Sequence, residues 1–260
     1  MFNSSRCQDV VVGQWTCSLM VYTTLIYLYV VDGLLIDTGP KRLQRQSSMF
    51  FLRNSINQVA LSHLHEDHSG MAAWLEHNLQ IPIYLHEMAI PEAKERGKYR
   101  LYRQLMWGNR PAFTPQPFPE VLTTGKYTFD VIDSPGHTEH HKVFHEKNQG
   151  WLFTGDIYVA PKQLVAMYDE NMKDTIVSLQ KLLRLDFDTV FCAHNGVIEN
   201  GKAALQKKLD YMLDLQGKVE GLRRQGLTDR EIDHKLFPKI PLIAKVSGGE
   251  WSSYNIVKTL

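Results

Sequence analysis

Residues 62–70 read SHLHEDHSG, three histidines and two acids within nine positions. Imidazole nitrogens and carboxylate oxygens are the donors that zinc and related divalent ions take. His63 and His65 stand two apart, directly after the apolar run Val59, Ala60 and Leu61. In an extended segment that spacing sends both rings to one side, so both reach one ion. Asp67 and His68 follow in a turn and are placed to serve a second ion nearby. Three more donors lie downstream: His137 in DSPGH, Asp156 in FTGD and His194 in FCAHNG. Each follows directly on a segment that reads as a strand. Strands ending at one edge of a sheet deliver their loops to that edge. Five imidazoles and two carboxylates then converge there. A lone histidine is most often a surface or satisfied core residue, and His77, His86, His145 and His234 are read that way.

The elements that must position these donors are mostly strands. Runs of β-branched and aromatic residues bounded by Gly, Pro, Asp and Asn predict strands at 9–15, 17–22, 25–31, 33–37, 58–62, 81–85, 129–133, 142–145, 150–154 and 189–193. Helices are predicted at 70–78 and 174–185, with Asp174 as the N-cap of the second. The apolar stretch 17–31 is short for a membrane span and lacks the flanks of a signal peptide, so it reads as buried β-structure. Residues 86–120 are charged, then aromatic, then Pro-rich, which predicts a helical insertion followed by an irregular loop near the site. From residue 201 the pattern turns helical. Leu205, Leu209, Met212, Leu215, Val219 and Leu222 recur at steps of three and four and make one apolar face. Gly226 ends that run. Thr228 and Glu231 then form a capping box, Leu227 and Ile232 a hydrophobic staple, and Pro238 stops the next helix. The expected organisation is a catalytic domain over 1–200 and a helical extension over 201–260.

Composition excludes little but agrees. The 260 residues are 43% hydrophobic and 22% charged, ordinary for a globular protein with a sizeable core. A net charge of +1 makes no general case for nucleic acid or an anionic membrane as partner. Three scattered cysteines, Cys7, Cys17 and Cys192, fit a reducing compartment better than a disulfide framework. A soluble, cytoplasmic protein is therefore expected, its partner a small-molecule substrate and its oligomeric state open, a homodimer included.

With these motifs in order, the chain resembles the metallo-β-lactamase superfamily. SHLHEDHSG is similar to that family's HxHxDH motif. LLIDTG (34–39), SPGH, FTGD and AHNG are similar to its other motifs, over roughly residues 9–200. The resemblance implies an α/β fold, an αββα sandwich with metals at one edge of two sheets. It implies that His63, His65 and His137 bind a first metal, that Asp67, His68 and His194 bind a second, and that Asp156 bridges them. Asp37 would support the metal loop from outside. The implied cofactor is two divalent ions, zinc first, with manganese or iron as alternatives. The implied reaction is attack by a metal-bridging hydroxide on a small ester or thioester, with Asp67 orienting the nucleophile.

Some positions depart from the family. In PGHTEHH, Glu139 and His140 replace a common Pro-Gly pair, and His141 is a candidate for outer support or substrate contact. Tyr158 stands just after Asp156 and is a candidate catalytic tyrosine, although the spacing differs from that of lactonase-like relatives. The glutathione-binding set of glyoxalase II enzymes is not visible. An aspartate rather than a cysteine in the FTGD motif argues against antibiotic hydrolysis. The extension resembles the winged-helix-like tails of some superfamily hydrolases; Lys218, Arg223 and Arg224 read first as a solvated helix end favoured by the helix dipole, with phosphate contact as the alternative. Alternatives are therefore a lactonase, a phosphodiesterase or endoribonuclease, and a persulfide dioxygenase with one iron on His63, His137 and Asp156. A metal-binding module without turnover is the reading from another class.

Overall fold

A computed structural model describes residues 2–19 and 22–260. The first half of the chain supplies β1 (Phe2–Cys7), β2 (Val10–Leu19), β3 (Tyr22–Val31), β4 (Leu34–Ile36), β5 (Gln58–Ala60) and β6 (Ile83–Tyr84). These pair in sequence order as one sheet, antiparallel through β4 and parallel from β4 to β6. The second half supplies β7 (Leu122–Thr123), β8 (Thr128–Asp133), β9 (Lys142–Glu146), β10 (Trp151–Gly155), β11 (Ala166–Met167), β12 (Thr189–Cys192), β13 (Gly196–Ile198) and β14 (Trp251–Ser252). The second sheet runs β13-β12-β10-β9-β8-β7, while β11 and β14 form a small separate pair. The helices are α1 (Gln44–Arg53), α2 (Glu66–Ser69), α3 (Ala72–Leu79), α4 (Ile90–Ala93), α5 (Leu101–Trp107), α6 (Met172–Leu182), α7 (Gly201–Arg224), α8 (Asp229–Leu236), α9 (Leu242–Val246) and α10 (Ser253–Thr259).

Strand alternation fixes the layers. Successive side chains of a strand point to opposite faces. On β3, Tyr29 and Val31 turn inward while Ile26, Leu28 and Val30 turn outward. On β10, Trp151 and Phe153 turn inward while Leu152 turns outward. The inward sets meet between the sheets, with Phe153 stacked on Phe191. The outer face of the first sheet is covered by α1, α3 and α5, through Phe50, Leu75 and Met106 among others. The outer face of the second is covered by α6, α7, α8 and α10, through Leu179, Leu209, Ile232 and Ile256. The order of layers is αββα, as expected.

Several elements differ from the sequence expectations. The predicted strands 9–15 and 17–22 are one long β2, and the end of the second falls on residues 20 and 21, outside the described residues. Strand β1 and helix α1 were not expected. The predicted helix 70–78 begins earlier, as α2, and continues after a break at Gly70 as α3. Asp174 is not an N-cap. The cap is Asn171, whose side chain accepts from the N–H groups of Lys173 and Asp174 at 3.0 and 3.3 Å. Asp174 lies instead in the first turn, where a carboxylate favours the helix dipole. The capping box of Thr228 and Glu231 is present as expected. Lys218 and Arg223 are engaged within the chain, with Asp214 and Asp229. Among the described residues, no helix is long and apolar enough to cross a membrane.

Candidate metal centre

The donors arrive at one edge of the sandwich from the ends of strands. After β5 the chain stays extended through His63 and His65, and His65 stands at the N-cap of α2, which carries Asp67 and His68. His137 lies in the loop between β8 and β9, Asp156 directly after β10, and His194 just after β12. Hydrogen bonds hold the two sheets in register at this edge. Lys142 N–H donates to Ser62 O at 2.8 Å, Tyr27 N–H to Ala193 O at 2.8 Å, and the Tyr29 hydroxyl to Cys192 O at 2.6 Å.

Two glycines make the close approach possible. Gly155 has φ +47°, and a Cβ there would lie 2.6 Å from His141 Nε2 and 2.8 Å from Ser62 Cβ. Gly136 has φ +140°, and a Cβ there would lie 2.3 Å from Thr175 Oγ1. Only a residue without a Cβ fits either position.

All seven sequence-predicted donors meet. His65 Nδ1 lies 3.0 Å from both His63 Nε2 and His137 Nε2. On the other side, Asp67 Oδ2 lies 3.8 Å from His68 Nε2 and 3.4 Å from His194 Nε2. Asp156 stands between the two sets. Its Oδ1 is 3.4 Å from His68 Nε2, and its Oδ2 is 3.5 and 3.3 Å from the Nε2 atoms of His137 and His194. Three groupings have donor atoms within 4.8 Å of one another: His63, His65, His137; Asp67, His68, His194; and His63, His68, Asp156.

The outer nitrogens of three rings are hydrogen-bonded, and that of a fourth faces a carboxylate. His68 Nδ1 donates to Asp37 Oδ2 at 2.9 Å and His194 Nδ1 to Leu25 O at 2.7 Å. His63 Nδ1 contacts Ser62 Oγ at 3.0 Å, and His137 Nδ1 faces Glu170 Oε2 at 3.6 Å. Fixing the outer nitrogen orients the inner one, the arrangement metal-binding histidines show. Two inner atoms, His68 Nε2 and Asp156 Oδ1, are buried without a hydrogen-bond partner. Buried polar atoms are ordinarily paired. Orphaned donor atoms aimed at a common point, with ordered outer partners, fit divalent cations.

The charges are strongly coupled. Burial works to raise the Asp156 carboxyl, but His194 and His68 hold it well below the usual carboxylate range. Burial works to lower His68 and His194, but the surrounding aspartates lift both well above the ordinary imidazole value. Burial, helped by neighbouring imidazoles, pushes His63 and His65 well below it.

The remaining predicted residues divide. Asp37 accepts from Ser62 N–H at 2.8 Å and from His68, so it ties the ligand loop to the ring. His141 is buried and does not reach substrate space. Its Nε2 accepts from Asp156 N–H at 3.1 Å, which leaves Nδ1 to donate to Ser134 Oγ at 2.8 Å. It therefore positions Asp156 through the backbone. Tyr158 is corrected: it is 2% exposed, packs in the core between the second sheet and α7, and does not line the chamber over the donors. Lone histidines His77, His86, His145 and His234 join no metal-like grouping among the described residues.

Sequence reasoning missed Ser62, Ser134, Glu66, Arg103, Glu170 and Lys208. Arg103 donates to both carboxylate oxygens of Glu66 at 2.6 and 2.5 Å and to Glu250 at 3.2 Å, joining the ligand turn to the segment before β14. Glu66 was visible inside the histidine motif; Glu170 and Lys208 carried no local signal. A chamber of about 230 Å³ opens over the donors, walled by Trp107, Val165, Met167, Ile243 and Trp251. A polar recess of about 550 Å³ shares His65 and Arg103 with it. Burial lowers the Lys208 ammonium from the ordinary lysine value, and Glu170 pulls it back.

The comparisons with known proteins agree with this geometry. A Bacillus subtilis protein named probable metallo-hydrolase YqjP is 25% identical, over 90% of this chain and 86% of its own. A hydroxyacylglutathione hydrolase of Nitrosomonas europaea is 28% identical, over 65% of this chain and 58% of the enzyme. An atrochrysone carboxyl ACP thioesterase of Aspergillus fumigatus is 26% identical, over 81% of this chain and 66% of the enzyme. The matches thus span less than two thirds of the length of these last two. Among solved structures, a β-lactamase domain protein of Burkholderia ambifaria superposes with a TM-score of 0.71 at 15% identity, over 98% of this chain and 86% of that one. The family model of the metallo-beta-lactamase superfamily matches residues 20–194. The chain belongs to the metallo-β-lactamase superfamily.

Proposed function

We propose that the protein is a dinuclear metal hydrolase acting on ester or thioester substrates. The observation that carries this reading is Asp156, whose Oδ2 lies between His137 of one three-donor set and His194 of the other, while its Oδ1 faces His68. His63, His65 and His137 would hold one divalent ion, and Asp67, His68 and His194 the other, with zinc the first candidate. Two such ions, when bound, supply a water acidic enough to ionise near neutral pH and a Lewis acid for the acyl oxygen.

The chain's own groups do the rest. Asp67, held among His68 and His194, would orient the attacking water as well as hold the second ion. Oxygen adds to the acyl carbon, the bond to the leaving oxygen or sulfur breaks, and the proton passes to the leaving group. Arg103 clamps Glu66, the neighbour of Asp67, and so fixes that carboxylate. Trp107, Ile243 and Trp251 keep bulk water from the chamber. The names of two relatives, an ACP thioesterase and a hydroxyacylglutathione hydrolase, favour acylated carriers as the substrate class. Three free cysteines fit the reducing cytoplasm as its compartment.

The test is metal analysis of protein purified without chelator or affinity metal, followed by assay against a thioester panel. About two zinc or manganese ions per chain are expected. Replacing Asp156 with Asn should lower both metal content and turnover. One iron per chain with oxygen uptake on a glutathione persulfide would replace this reading by the dioxygenase. Full metal loading with no turnover across esters, thioesters, lactones and phosphodiesters would leave a binding module.

A further inference from the structure

Lys208 is the one charged residue on the buried face of α7. It is 3% exposed, yet it reaches the wall of the chamber over the donors. An ammonium carries three N–H groups. Among the described residues, Lys208 has one hydrogen bond, to Ile157 O at 2.9 Å, and no carboxylate within 4.0 Å. A buried charge without a counter-ion is costly unless something pairs with it. Glu170, the nearest acid in electrostatic terms, is already committed. It accepts from Met167 N–H and from Gln163 Nε2, both at 2.8 Å. Away from the donors the wall is mainly apolar, through Trp107, Val165, Met167, Ile243 and Trp251, with Tyr22, Thr24, Gln163 and Glu170 as its polar members.

We propose that the chamber takes an acyl group that is apolar along its length and carries a carboxylate, and that Lys208 binds that carboxylate. This deepens the hydrolase reading and rests on it for the word acyl. A single negative charge fits better than a phosphate. Arg103, the other buried cation of the chamber, is held by Glu66 and Glu250, and Lys162 stands at the exposed rim. Phosphate sites ordinarily gather several free donors or an arginine fork. Lys208 offers one compact charge in the mainly apolar wall of the chamber.

The experiment uses the full-length, zinc-loaded protein. Calorimetry compares matched pairs of acids: butanoate with succinate, hexanoate with adipate, and octanoate with suberate. The corresponding thioesters are compared in hydrolysis. In each pair the first carboxylate is common and the second is the probe for Lys208. At least one dicarboxylate should bind about tenfold or more tightly than its partner, and the matching thioester should show a similar preference in kcat/KM. Lys208→Gln, which keeps an N–H donor for the Ile157 carbonyl, should bring both ratios toward one. Lys208→Arg should retain much of the preference.

A wild-type protein without preference in any pair would overturn the proposal. So would a Lys208→Gln protein that keeps the preference, or one that weakens both members of every pair equally. That last outcome would mark Lys208 as an anchor for the Ile157 carbonyl only. If no thioester is turned over but the binding preference holds and depends on Lys208, the hydrolase reading fails and the carboxylate site stands.

Discussion

At the level of single residues, the outer partners of the donors matter as much as the donors. Asp37 receives Ser62 and His68 together, so Asp37→Asn should loosen the ring that faces Asp156. Zinc affinity, measured by competition with a chromophoric chelator, should fall about 10- to 100-fold, the usual range for such partners. The pH dependence of the metal-free protein is also set here. His68 and His194 titrate above the ordinary value of about 6.5, so their contribution is complete below that pH and is lost as pH rises through their folded values. His63 and His65 titrate below it, so their contribution is complete above that pH and is lost as pH falls. Chelator-stripped protein should therefore be most heat-stable near pH 6.5, falling on both sides, and added zinc should flatten the alkaline limb. An alkaline limb unchanged by zinc would contradict this. The seven donors were legible because their chemistry is local to short motifs. Ser62, Glu170 and Lys208 were not, because an outer partner is defined only by what lies across space from it. Tyr158 misled for the opposite reason: nearness in sequence to Asp156 says nothing about the face on which its ring emerges.

At the level of elements, strands were read well and helix starts less so. Two-residue alternation in β3, β10 and β12 is strong because each face packs on a different layer. The two predicted strands that proved to be one β2 show the limit, since a long edge-to-edge pairing with β3 carries polar residues without ending. Helix α1 was missed because only Ser47, Phe50 and Phe51 of its ten residues are buried, too few to mark a period. The true cap of α6 was passed over for an acid three residues later. Asn171→Ala should cost about 1 kcal/mol in urea denaturation, whereas Asp174→Ala should cost only a few tenths. Equal effects would mean that the first-turn charge matters as much as the cap. At the end of β10, Gly155→Ala forces a Cβ against His141 at a positive φ. That variant should lose zinc and unfold at lower temperature, as seen by metal analysis and calorimetry.

At the level of the whole molecule, the order of layers followed from the family resemblance of the motifs, but the attachment of the last sixty or so residues did not. Helices α7, α8 and α10 share one buried cluster with Val143, Leu152 and Val190 of the second sheet. Ile256, fully buried in that cluster, should cost about 2–5 kcal/mol when cut to Ala. If the cluster is continuous in energy as well as in space, calorimetry should show a single transition for the wild type and for this variant. Two transitions would make the extension a separately folding unit. The distribution of donors over the chain has a consequence for how the molecule is made. His63, His65, Asp67 and His68 leave the ribosome first, yet every donor grouping also needs His137, Asp156 or His194. A nascent chain with only its first half exposed can hold no complete set. Capture of a first ion would thus wait for His137 and of a second for His194, so metal uptake would follow the making of the second half of the chain rather than seed the folding of the first.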